Sequence, residues 1–67
     1  MLTNSVRELR ARFRYTQQDL AEKIGVSRQT IGLIEKGDYA PSITLALKIS
    51  QVFRVPVEEV FQLEGDE

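Results

Sequence analysis

Apolar residues recur along this chain at helical spacing, in short blocks that begin at capping residues and end at Gly or Pro. In the first block, Val6, Leu9 and Phe13 fall on one face of a helix. Thr3 or Asn4 stands where the N-cap of that helix is expected. The pattern therefore predicts an amphipathic first helix.

The next two blocks are joined by a short turn that contains a glycine. Thr16 begins a capping box that Asp19 completes, and Gly25 stands where a left-handed residue ends a helix. Ser27 then caps a third helix. Two helices joined by such a turn form a helix-turn-helix, so residues 17–36 are predicted to be the core of that motif.

Two further helices are predicted in the second half of the chain. Pro41 and Ser42 begin a block that is apolar on nearly every side, which is typical of a centrally buried helix. Pro56 fits the first position of a short fifth helix. The predicted fold class is all-α, with five helices in one domain over residues 1–67 and a short acidic tail at residues 64–67.

The composition excludes most catalytic classes. The chain has 67 residues, no His and no Cys. It therefore lacks a disulfide framework, a thiolate nucleophile, and the commonest general base and metal ligand. We expect no enzyme, no metal site and no cofactor. The absence of a long apolar run or a signal-peptide pattern predicts a soluble, cytoplasmic protein with no membrane partner.

The charge is distributed unevenly. Residues 1–37 carry seven basic and four acidic side chains, a balance of +3, and residues 38–67 carry two basic and six acidic ones, a balance of −4. Such asymmetry suggests a polyanionic partner for the first half. If the third helix turns its isoleucines towards the core, its opposite face carries Arg28, Gln29, Gly32, Leu33 and Lys36. That face suits an element lying in the major groove of DNA.

Several motifs then follow one another in register. They are Arg10, T-Q-x-x-L-A-x-x-I-G at Thr16–Gly25, V-S-R-Q-T-I at Val26–Ile31, I-E-x-G at Ile34–Gly37, P-S at Pro41–Ser42, K-I at Lys48–Ile49 and V-P-V-E-E-V-F at Val55–Phe61. With this series the chain resembles the XRE/Cro-type helix-turn-helix regulators, which include the phage repressors. The resemblance covers residues ~4–61. It implies a phage-repressor-like DNA-binding domain, and the alternation at both termini allows a short β-pairing.

The resemblance implies that the third helix reads bases. Arg28 pairs well with guanine and Gln29 with adenine, and each such pair contributes ~1–3 kcal/mol of discrimination. Leu33 either touches a thymine methyl group or packs against the core or a second subunit. Phosphate contacts are implied for Gln17, Lys36, Tyr39 and Ser42. For Gln17 the alternative is simple solvation of a helix end, for Lys36 an interaction with the helix dipole, and for Tyr39 packing in its loop.

The resemblance also implies a structural ion pair between Arg10 and Glu35. A homodimer is expected, because pairing on a two-fold axis doubles the base contacts of a small domain. The expected dimer interface consists of Leu2, Val55, Val57, Val60, Phe61 and Leu63. The predicted function is a sequence-specific, double-stranded-DNA-binding transcriptional repressor without a small-molecule ligand. The alternative is an antitoxin or accessory module whose main partner is another protein.

Overall fold

A computed structural model describes residues 1–65 of the chain. Its elements, in order, are β1 (Leu2–Asn4), α1 (Val6–Phe13), α2 (Gln17–Ile24), α3 (Arg28–Lys36), α4 (Ile43–Phe53), α5 (Val57–Val60) and β2 (Phe61–Leu63). The five helices and the short terminal β-pairing confirm the predicted fold class. Asp66 and Glu67, which belong to the predicted acidic tail at residues 64–67, lie outside the described residues.

Side-chain caps begin α2, α3 and α4 where the sequence predicts these helices. Thr16 and Asp19 form the capping box of α2, and the Ser27 hydroxyl accepts a hydrogen bond from the Thr30 N–H at 3.2 Å. In α1 the N-cap is Ser5, whose side chain makes no capping bond. Asn4 supplies that bond instead, because its Oδ1 accepts from the Val6 N–H at 3.1 Å.

The core lies where α1, α2, α3, α4 and α5 meet. The buried cluster consists of Val6, Leu9, Leu20, Ala21, Ile24, Ile31, Ile34, Ile49, Phe53 and Val60. Ala21 is fully buried in α2, and its small side chain lets the axes of neighbouring helices approach. The ring centroids of Phe13 and Phe53 lie 5.3 Å apart, which extends the cluster along α1 and α4.

The prediction that α4 is buried centrally is wrong for one of its sides. Ala46, Ile49 and Phe53 are buried, whereas Ile43 and Leu47 are 72% and 45% exposed. A domain of this size buries only part of its unfolded surface, so α4 is covered on one side alone. The other side leaves an apolar surface in contact with solvent.

The terminal ribbon is tied to the helix-turn-helix. Strands β1 and β2 are antiparallel, with Leu2 opposite Leu63 and Asn4 opposite Phe61. The Asn4 side-chain N–H donates to the carbonyl oxygen of Ile34 at 2.9 Å. This bond joins the ribbon to the last turn of α3, where the Ile34 carbonyl also accepts from the Gly37 N–H at 3.0 Å. Within residues 1–65 no helix has the length and apolar character needed to cross a membrane.

Candidate nucleic-acid interface

Helix α3 presents a polar outward face because its apolar side is in the core. Ile31 and Ile34 are buried, while Arg28, Gln29 and Lys36 are exposed. The helix begins at the Ser27 cap and ends at Gly37, which adopts a left-handed conformation with φ 80°. The turn before it contains Gly25 at φ 77°, a conformation that favours glycine. Residues 17–36 therefore form the predicted helix-turn-helix.

Leu33 lies on the same outward face and is 44% exposed. The alternative that it packs in the core is therefore wrong for this chain. An isolated exposed leucine is ordinary on a protein surface, but this one stands one helical turn beyond Gln29. Its side chain is free to contact an apolar group such as a thymine methyl.

The predicted ion pair between Arg10 and Glu35 is present and joins α1 to the last turn of α3. Arg10 Nε lies 2.6 Å from Glu35 Oε2, and Arg10 Nη2 lies 3.2 Å from Glu35 Oε1. Arg10 also donates to the carbonyl oxygen of Tyr15 at 2.9 Å. The side chains are only 15% and 6% exposed, so water screens the pair weakly. The hydrogen bond from Arg10 to Glu35 raises the pKa of the guanidinium above its ordinary value.

Gln17 has an intramolecular partner that the sequence analysis missed. Its Nε2 donates to Glu35 Oε1 at 3.1 Å, which links the first turn of α2 to the last turn of α3. The two residues are 18 positions apart, and no local pattern reports such a contact. The second hydrogen on this amide nitrogen remains available to another acceptor.

The other residues predicted to contact phosphate lie at the end of α3 and in the loop that follows. Lys36 Nζ is 3.6 Å from Asp38 Oδ2, with both side chains more than half exposed. Tyr39 is 44% exposed, which excludes a fully packed position in its loop. The Ser42 hydroxyl accepts from the Leu45 N–H at 3.1 Å and so begins α4.

The residues of the expected dimer interface differ in exposure. Val60 is fully buried within the subunit, so its inclusion in an interface is wrong: its side chain has no surface left to present. Val55 and Phe61 are half-buried against the core, and Val57 is also half-buried. Leu2 and Leu63 are exposed, at 37% and 68%.

Three of these residues, Leu2, Val57 and Phe61, line an apolar groove that was not predicted from the sequence. The groove has a volume of about 260 Å³ and is lined mainly by Leu2, Pro41, Ile43, Ala46, Val57 and Phe61. Leu47 adds a further exposed apolar side chain on α4. This surface was not predicted, because the nearly uniform apolar sequence of α4 does not indicate which side of the helix lacks a neighbour.

Residues 6–60 of the chain match a family model described as Helix-turn-helix. The protein belongs to this helix-turn-helix family. The match spans all five helices and confirms the XRE/Cro-type resemblance. The family consists of DNA-binding transcriptional regulators and is not a class of enzymes.

Three similar proteins illustrate the comparison. An uncharacterized regulator of Bacillus subtilis, YgzD, is 57% identical over 97% of this chain and 98% of its own. The transcriptional repressor RstR of a Vibrio cholerae cryptic phage is 30% identical over 90% of this chain and 54% of its own. The crystal structure of the restriction-modification controller protein C.AhdI of Aeromonas hydrophila is 30% identical, with a TM-score of 0.75 over 81% of this chain and 82% of that chain.

Proposed function

We propose that this protein is a transcriptional repressor that binds a specific double-stranded DNA sequence as a homodimer. Its operator is a pseudo-palindrome, and the protein works in the cytoplasm, where it needs no cofactor. The observation that carries the proposal is the outward face of α3, which is polar and exposed while the opposite face is buried. The Ser27 cap and the Arg10–Glu35 pair hold the two ends of that helix.

In this proposal three side chains read bases. Arg28 and Gln29 occupy the first turn of α3, the part of a recognition helix that enters the major groove most deeply. The guanidinium donates to guanine O6 and N7, and the Gln29 amide pairs with adenine N6 and N7. Leu33 follows one turn later and contacts a thymine methyl group.

Four side chains position the domain on the backbone. Lys36 contributes a charge, and Gln17, Tyr39 and Ser42 contribute hydrogen-bond donors on the surface beside α3. Such contacts set the register of the protein on the duplex and make affinity depend on salt. The concentration of positive charge in residues 1–37 supports this assignment.

The occupant that we assign to the apolar groove is a second copy of the chain. A neighbouring cleft, lined in part by Leu2, Gly37 and Tyr39, connects the ribbon with the end of α3. We therefore infer that a two-fold contact on this side presents both recognition helices to the same duplex. The domain measures 34 × 22 × 21 Å, a size compatible with half-sites about one helical turn (~34 Å) apart.

The test is selection of duplexes from a random library, followed by titration over a salt series. We expect an inverted repeat and a steep salt slope. Arg28→Ala should weaken binding by ~1–3 kcal/mol and relax preference at one base position in each half-site. Arg12→Ala, which removes the same charge from the exposed side of α1, is the control. Binding without sequence preference or salt slope would contradict the proposal.

The apolar groove also supports a second candidate, an antitoxin or accessory module that binds another protein. The oligomeric state separates the two. A purified chain that sediments as a dimer at micromolar concentration supports the repressor. A chain that remains monomeric and co-purifies with a stoichiometric protein partner supports the accessory module.

A further inference from the structure

We propose that the cleft between α1 and α3 binds one phosphate of the DNA backbone, with Arg7 and Lys36 as its cationic walls. This inference rests on the proposed DNA-binding function and adds a site on α1. The cleft has a volume of about 400 Å³. Its principal lining residues are Arg7 and Glu8 from α1, Gln17 from α2, and Gly32, Glu35 and Lys36 from α3.

When α3 lies in the major groove of DNA, the cleft lies beside the sugar-phosphate backbone of the duplex. Gly32 and Lys36 belong both to the outward face of α3 and to the wall of the cleft. Gly32 adds no side chain to that wall: a Cβ there would lie 3.8 Å from Gln17 Nε2, the nearest atom apart from its chain neighbours and the backbone of its own helix. The backbone of a bound duplex therefore meets the cleft at its open side.

The charges in the cleft favour an anion. Glu35 is already compensated, because Arg10 and the Gln17 amide both donate to its carboxylate. The remaining charged groups are Arg7, Lys36 and Glu8, a balance of +1. Asp38 lies 3.6 Å from Lys36, but both side chains are exposed, and such pairs exchange readily for other partners.

The donors in the cleft suit a phosphodiester. Arg7 offers a planar fork that matches two phosphate oxygens, and Lys36 offers a compact charge from the facing helix. The Gln17 amide holds a second hydrogen that its bond to Glu35 does not use. Donor side chains from three helices thus line one cleft.

The experiment compares two matched variants on the selected operator. Arg7→Gln and Arg12→Gln remove the same charge from exposed positions of α1, about 140° apart around the helix. We expect Arg7→Gln to lower affinity about tenfold at low salt and to reduce the slope of log K against log salt by about 0.9 per domain. Arg12→Gln should change affinity less than about twofold. Circular dichroism checks that both variants fold.

Two further variants test whether the side chains share one phosphate. Glu8→Gln removes the carboxylate that opposes an anion, so affinity should rise severalfold, a gain that a damaged fold does not produce. The double variant Arg7→Gln, Lys36→Gln should lose less affinity for the operator than the product of the two single fold-losses. Each single variant already weakens the same phosphate contact.

The outcomes separate this inference from the function on which it rests. Equal losses in Arg7→Gln and Arg12→Gln would show a general charge effect and overturn the cleft. An unchanged affinity in Glu8→Gln would also count against it. Both results leave sequence-specific binding by α3 intact, whereas a wild-type protein with no preferred sequence removes the function itself.

Discussion

Helices α3 and α4 present contrasting surfaces to solvent. The outward face of α3 carries Arg28 and Gln29, side chains with directional hydrogen-bond donors. The outward face of α4 carries Ile43 and Leu47, which have none. Both faces lie opposite a buried stripe of the same core. Domain packing thus leaves two surfaces with different chemistry, one suited to base edges and phosphates and one suited to another apolar surface.

The two surfaces belong to halves of the chain with opposite net charge. The polar face belongs to the half of the chain with a balance of +3, and the apolar face to the half with a balance of −4. Acidic residues in the second half therefore lie outside the motif at residues 17–36 that we assign to DNA, although Asp38 lies 3.6 Å from Lys36 of that motif. A net charge of −1 is compatible with a DNA-binding protein for that reason.

The largest effect is expected from breaking the support behind the polar face. Arg10→Ala leaves the Glu35 carboxylate, 6% exposed, with Gln17 as its remaining side-chain donor. The free energy of unfolding should fall by ~3–5 kcal/mol. Urea unfolding measures it, with Arg12→Ala as the control, for which surface exposure predicts a change within ~0.5 kcal/mol. Equal midpoints for the two variants would show that the ion pair does not support α3.

The next effect concerns the apolar face. Ile43→Glu places a charge in the proposed dimer interface and should raise the dimer dissociation constant about 30-fold or more. The monomer should remain folded, because an acidic residue in the first turn of α4 interacts favourably with the helix dipole.

Analytical ultracentrifugation distinguishes Ile43→Glu from its control. Thr44→Glu adds the same charge at the neighbouring exposed position, which does not line the groove, and should dimerise as the wild type does. A dimer that survives Ile43→Glu would mean that another surface holds the two copies.

A smaller effect separates stability from binding on the polar face itself. Gly32→Ala should raise the free energy of unfolding by ~1 kcal/mol, because glycine is unfavourable inside a helix and the added Cβ has room. Operator affinity should fall severalfold, because the methyl group stands between α3 and the duplex. Thermal unfolding and titration measure the two quantities. Equal or higher affinity would show that DNA does not approach the backbone here.

The smallest effect is a pH dependence at the start of α2. The hydrogen bond from the Thr16 backbone N–H, and then that with the Thr16 side chain, lower the pKa of Asp19 below its ordinary value of 3.8. The carboxylate therefore stabilises the fold above that value, and its contribution is lost as the pH falls through the pKa of the folded state. Asp19→Asn should be less stable than the wild type near about pH 6, and the difference should shrink near about pH 3. A difference that does not vary with pH would exclude this role.

Most of the fold was predictable because its signals are local. The Thr16–Asp19 capping box, the Ser27 cap and the left-handed Gly25 involve residues within a few positions of one another. The register of the apolar residues then placed Arg28 and Gln29 on the outward side of α3. The start of α1 was predicted less accurately. Thr3 or Asn4 was the expected N-cap, whereas the N-cap is Ser5 and Asn4 makes the capping bond.

The missed features all depend on distant parts of the chain. The bond from Gln17 to Glu35 spans 18 residues, and the bond from Asn4 to the Ile34 carbonyl spans 30. The burial of Val60 and the exposure of Ile43 have the same origin. The hydrophobic effect has no direction, so the arrangement of neighbouring elements decides whether an apolar side chain meets the core or stays exposed.

The amino-acid sequence by itself determined the five helices, the motif at residues 17–36 and the residues that face outward from α3. Helical periodicity and capping are short-range, and apolar residues that alternate with polar ones at helical spacing already specify which side of a helix is buried. Only the tertiary structure decided which side of α4 stays uncovered, that the ribbon is tied to α3, and that Arg7 and Lys36 line one cleft. These relations join elements that are distant in sequence, and packing alone brings them together.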